Sequence, residues 1–279
     1  IGRSAFLNCS SLASVTIPDS VSSIGEGIFA ECSSLASVTI PDSVTSIGER
    51  AFAECSSLVA VTIPDSVTNI GWYAFSECPS LTAVLFYGNT PNIDEGLFGG
   101  GGGATPATVF YFPGTSGWRS TFSGRPAKPI LTYAEKNGGA VITGSEPSFP
   151  GPLTIPEKLA GLPVTAIGSS AFRSCTDLTS VILPDSVTSI GPYAFHGCTS
   201  IASANIPDGV TSIGTYAFYN CHSLEEVTLR DSVTTIGDFA FAFCSSLWDV
   251  IIPDTVTRIG RGMFSGCHGL ESITLPTGV

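Results

Sequence analysis

The sequence predicts a solenoid of parallel β-strands built from short coils of 23 residues. Three observations predict it. The segment LASVTIPDSVSSIGEGIFAECSS, opening at Leu12, returns almost unchanged at Leu35 and Leu58. The same register reappears at Leu178, Ile201, Leu224 and Leu247, with a last partial copy at Leu270. The cysteines keep the same spacing, from Cys9 through Cys32, Cys55 and Cys78, and again from Cys175 through Cys198, Cys221, Cys244 and Cys267. One copy cannot bury its own apolar residues, whereas stacked copies bury them against their neighbours in a continuous core.

Each part of a copy has a physical reading. In the copy opening at Leu12, Val15 and Ile17 alternate with Ser14 and Thr16, the period-2 pattern of a short half-buried strand. Pro18-Asp19-Ser20 follows as a turn, because Pro presets φ and Asp suits the next position. Val21 and Ile24 point inward again, and Gly25 is expected to let the backbone bend. Ile28, Phe29 and Cys32 supply the remaining buried positions, expected on a short helical turn. The strands of successive copies then pair in parallel, about 4.8 Å apart.

The register holds through Phe98 and then breaks. Gly99 to Gly103 reads as a linker: no Lys-Ser/Thr follows it, so a phosphate-binding loop is not supported. Val109 and Tyr111 suggest an atypical closing strand. Thr132 to Gly144 reads as a hairpin turning at Asn137-Gly138, and the repeat resumes at Leu153. The expected organisation is a first repeat module with an end segment over 1–128 and a second with a starting hairpin over 129–279, joined by an irregular connector.

The pattern LxxVTIPDSVTSIGxxAFxxCxS resembles the BspA-like class of leucine-rich repeats, named for a bacterial surface antigen. The resemblance covers roughly residues 1–98 and 153–279. It implies a leucine-rich-repeat solenoid that is secreted or exposed at the cell surface and is associated with adhesion and protein binding. It implies no particular partner.

Composition excludes several other classes. Apolar residues make up 43% of the chain and charged ones 12%, which favours a large core over disorder. The net charge is −12 and no Lys/Arg cluster exists, so nucleic acid is not an expected partner. No apolar run is long enough to span a membrane as a helix. His196, His222 and His268 assemble into no Ser-His-Asp set or metal motif, so no catalytic residue, metal ligand or cofactor is expected, and the chain is read as a non-enzyme. The cysteines, odd in number at 9 and aligned in columns, read as buried free thiols. Asp19, Asp42, Asp65, Asp185, Asp208, Asp231 and Asp254 form another column. Each carboxylate is expected to accept bonds from its own turn, with a calcium ladder as the alternative.

The candidate binding surface is aromatic. Tyr193, Tyr216 and Phe239 follow one another at the repeat spacing, Trp72 and Tyr73 are the matching pair of the first module, and Trp248 adds to the set. Tyr and Trp are the residues that binding hot spots favour, although a packing role fits the same pattern. Two functions follow. One is an extracellular or cell-surface module that binds protein or glycan. The other is a structural subunit whose partner is itself, assembling end-to-end or laterally into a filament, tube or surface layer.

Overall fold

The computed structural model describes residues 2–94, 96–99 and 105–278. The expected linker glycines at 100–103 lie outside the described residues. The chain forms two compact units, Ile1–Ile130 and Leu131–Val279.

Both units are parallel β-solenoids. In the first, Ser14–Thr16 pairs with Ser37–Thr39, residue for residue at the repeat spacing. Ala60–Ile63 pairs with Ala83–Phe86, and that strand with Thr108–Tyr111. A second, narrower sheet joins Ser23–Ile24, Ser46–Ile47, Asn69–Ile70 and Asn92–Ile93. Arg125–Pro129 continues the wider sheet in parallel, and Thr121–Phe122 folds back on it antiparallel. In the second unit one sheet runs from Gly151–Thr154 through Leu178–Ile182, Ser203–Asn205, Glu226–Thr228 and Asp249–Ile251 to Ser272–Thr274. The other begins with the hairpin Leu131–Lys136 and Gly139–Ser145 and continues through Leu162–Ile167, Ser189–Ile190, Ser212–Ile213 and Thr235–Ile236. That hairpin turns on Asn137 and Gly138, both at positive φ (52° and 76°), as an Asn-Gly type I′ turn requires.

The core lies between the two sheets and the third side of each coil. Leu35, Val38, Ile40, Val44, Ile47, Phe52 and Cys55 are all buried, the set that the pattern places inward. Phenylalanines stack through each unit: Phe6, Phe29, Phe52 and Phe75 at 5.3–5.5 Å, then Phe172, Phe195, Phe218, Phe241 and Phe264 at 5.0–5.8 Å.

One local expectation is corrected and another gains a second reason. The third side of the coil is not helical, and no helix occurs among the described residues. There, alternate amides donate to the next coil instead of to the carbonyl four residues back: Gly27 N to Glu49 O, Phe29 N to Ala51 O, and Glu31 N to Ala53 O, at 2.8–2.9 Å. Two residues of each such coil take the left-handed conformation, as Gly27 (φ 57°) and Glu31 (φ 61°) do, which interrupts any helix. The repeat glycine, expected as a bend, also marks a close approach. A Cβ on Gly71 would stand 2.6 Å from the Glu49 amide nitrogen of the preceding coil. Glycine is required there because backbones of adjacent coils touch.

Candidate recognition surface

The cysteines and aspartates occupy columns whose bonding is now visible. All nine thiols are free; seven are buried, Cys9 is exposed and Cys267 half-buried. The buried thiols other than Cys175, whose Sγ meets Ser145 Oγ at 3.1 Å, donate to a phenylalanine carbonyl of the preceding coil, as Cys55 Sγ does to Phe29 O (3.2 Å) and Cys221 Sγ to Phe195 O (3.2 Å). Burial pushes the Cys78 and Cys221 thiols up to about 12, far from a reactive thiolate. Where the repeat breaks, buried Thr105 takes over this bond, donating from Oγ1 to Phe75 O at 2.8 Å.

The aspartates are exposed, and the hydroxyl after them, rather than the carboxylate, secures the turn, by a bond to a carbonyl of the preceding coil. Ser66 Oγ donates to Val44 O, and Ser186 Oγ to Val164 O, both at 2.7 Å. Asp254 instead accepts from the Thr277 amide of the next coil (2.7 Å), and Asp208 pairs with Arg230 (3.2 Å). The Ser hydroxyl reaches a carbonyl already inside the stack, whereas the Asp side chain points to water. Among the described residues, no three His, Cys, Asp or Glu side chains converge as metal ligands.

The candidate aromatics fall into three places. Trp72 and Tyr73 are exposed on the first unit, and Trp248 is exposed on the second. Tyr193, Tyr216 and Phe239 form a half-buried ladder on the second unit, with centroids 5.0 and 5.1 Å apart and planes within 15°. The ladder has two capped ends: the Arg173 guanidinium lies 5.6 Å over Tyr193, and that of Arg261 lies 5.7 Å over Phe239. Beside it, His196 stacks on Tyr219 at 5.0 Å, and Tyr219 meets Tyr216 and Phe243 edge to face at 5.3 and 5.2 Å. Phe243 is exposed, and His196 Nδ1 is buried without a hydrogen-bond partner. Burial, with Arg173 nearby, holds the His196 pKa below its usual range. The sequence reading overlooked Arg173 and Arg261, and weighed His196 only as a catalytic or metal-binding candidate. The signal was the repeat spacing itself, which aligns Arg173 with His196 and Tyr219.

These rings stand on unusual backbone. Tyr193, Tyr216 and Phe239 have φ of 59°, 58° and 56°, and Tyr73 has 58°. Gly27, Gly96 and Gly262 fill the same place in other coils, and Ser4, Arg50 and Ser170 fill it with φ of 53°, 53° and 58°. A left-handed conformation costs an L-residue roughly 1–2 kcal/mol, which glycine avoids. The left-handed backbone is thus a property of the coil, and the ladder carries its cost in bulky rings.

Coils of this geometry define the leucine-rich-repeat class of solenoid. The chain belongs to the BspA type leucine-rich-repeat family, whose repeat region matches residues 1–103 and 165–279 in 6 copies. It is similar to a leucine-rich-repeat protein of T. pallidum: 37% identity over 54% of this chain and 71% of that one, TM-score 0.52. It is also similar to a leucine-rich cell surface protein of Faecalibacterium prausnitzii, with 32% identity and TM-score 0.49. That match covers 99% of this chain but only 62% of the other. A leucine-rich-repeat protein of Bacteroides ovatus matches at 29% identity over 100% of this chain and 70% of its own, TM-score 0.41. No curated protein matches the chain.

Proposed function

We propose that this protein is a non-catalytic recognition module, displayed outside a bacterial cell or on its surface, that binds protein or glycan through the ring ladder of its second unit. The observation that carries the reading is the run of Tyr193, Tyr216 and Phe239 on adjacent coils, stacked rings left half-buried at the surface rather than in the core. Tyr is among the residues that binding hot spots favour. The family, and a relative described as a cell surface protein, support the location. No helix among the described residues is long and apolar enough to cross a membrane.

The test uses the full chain and its Tyr216→Gly variant against immobilised extracellular-matrix proteins and mucin-type glycans. The parent chain is expected to bind at least one of them. The variant is expected to lose about tenfold in affinity, a change of about 1.4 kcal/mol, with its fold intact. Equal binding by the two chains would overturn the assignment of the surface. Fibres in electron micrographs of the purified chain would replace it with self-assembly.

A further inference from the structure

We infer that the ladder of the second unit takes an acidic, extended peptide segment. The inference rests on the reading of this stripe as a contact surface and names the chemistry of what it contacts. Ring faces, the surfaces on which sugars and cations stack, are already covered here. Tyr216 is sandwiched between Tyr193 and Phe239, and the outer faces of those two lie under Arg173 and Arg261. What the ladder presents outward is ring edge. An aromatic ring is negative on its face and positive at its edge, so a row of edges attracts anions. The phenol groups of Tyr193, Tyr216 and Tyr219 add O–H donors to the same row.

The charges point the same way. The chain carries a net charge of −12, yet three of the four arginines from Leu131 onward border this stripe: Arg173, Arg258 and Arg261. The carboxylate beside it is engaged on one oxygen: Asp238 Oδ1 accepts from the Arg261 amide at 2.9 Å and from Arg258 Nη2 at 3.3 Å. Three guanidiniums against this carboxylate leave the patch with net positive charge. A neutral glycan leaves that charge unanswered. Carboxylates spaced along a peptide match it well, and exposed Phe243 offers an apolar contact to the side chains between them. The two capping guanidiniums lie at opposite ends of the three rings, so a segment that meets both must be extended.

The experiment pans phage-displayed random peptides on the immobilised full chain. Selected peptides are then titrated against the parent, the Arg173→Ala/Arg261→Ala double variant and Tyr216→Gly, with a heparin-derived sulfated oligosaccharide titrated in parallel. The selected sequences are expected to be rich in Asp and Glu, and to bind more weakly as salt rises. The double arginine variant should lose at least about tenfold in affinity. Its melting temperature should change little, because an exposed cation–π contact contributes only about 0.5–1 kcal/mol to folding. Selection of neutral or basic peptides, no selection at all, or equal binding by the double arginine variant would overturn the inference. So would arginine-dependent capture of the oligosaccharide in place of any peptide. If Tyr216→Gly alone weakens binding, the contact surface stands and its anionic preference falls; if neither variant matters, both fall.

Discussion

At Tyr216 two opposing contributions meet. Its φ of 58° costs roughly 1–2 kcal/mol, while stacking on Tyr193 and Phe239 returns about 0.5–1.5 kcal/mol at each contact. Replacing Tyr216 with Gly removes both, so its stability should fall by no more than about 2 kcal/mol. Tyr216→Ala keeps the backbone cost and loses the rings, and it should be about 1 kcal/mol less stable than the Gly variant. Denaturant melts of the two variants settle the point; equal midpoints would mean that the backbone there is unstrained. The thiols give a second prediction at this scale. Cys221 is raised from the ordinary value near 9.0 to about 12 in the folded chain. Its stabilising contribution is therefore complete below pH 9.0 and is lost as pH rises from 9.0 towards 12. Melting temperature should fall over that window, at about 1.4 kcal/mol per pH unit for each such thiol. A Cys221→Ser variant, whose hydroxyl does not titrate there, should show a shallower fall.

Among the elements, the turn after each strand illustrates what the sequence could reveal. Pro-Asp-Ser predicts a turn correctly, because Pro and Asp preferences are local. Which side chain secures the turn was not legible, since the bond runs from Ser66 to Val44 in the previous coil, 22 residues away. Ser66→Ala should therefore cost about 1 kcal/mol, and Asp65→Asn almost nothing, in thermal melts with or without a chelator. A loss of stability on chelation would restore the calcium reading of the Asp column. The same limit explains the misread third side of the coil. Residues such as Ala51-Phe52-Ala53 favour a helix locally, but amides claimed by the next coil decide the outcome. Strands, the hairpin at Asn137-Gly138 and the buried columns were legible because their signals are periodicity and turn chemistry. The ladder of Tyr193, Tyr216 and Phe239 was legible as a column. Its strained backbone and its arginine caps were not, because both depend on the pitch of the stack.

For each unit as a whole, contacts run from one coil to the next, so stability is close to a sum of coil terms and neighbour terms. Phe52 stacks on Phe29 and Phe75. Phe52→Ala should cost about 3–5 kcal/mol, with protection in hydrogen exchange lost first in the coils that carry those two rings. A uniform loss across the first unit would show instead that it unfolds as one block. The spacing of the columns also bears on inheritance. Neighbouring copies such as those opening at Leu35 and Leu58 are nearly the same text, and equivalent residues sit one full coil apart. A recombination event that slips from one copy to the next gains or loses a whole number of codons and a whole coil together. The reading frame, the inward face of every strand and the amide partners all survive it. Such a gene can lengthen or shorten its product by single coils, and shuffle which side chains stand beside which, without ever passing through a chain that cannot fold.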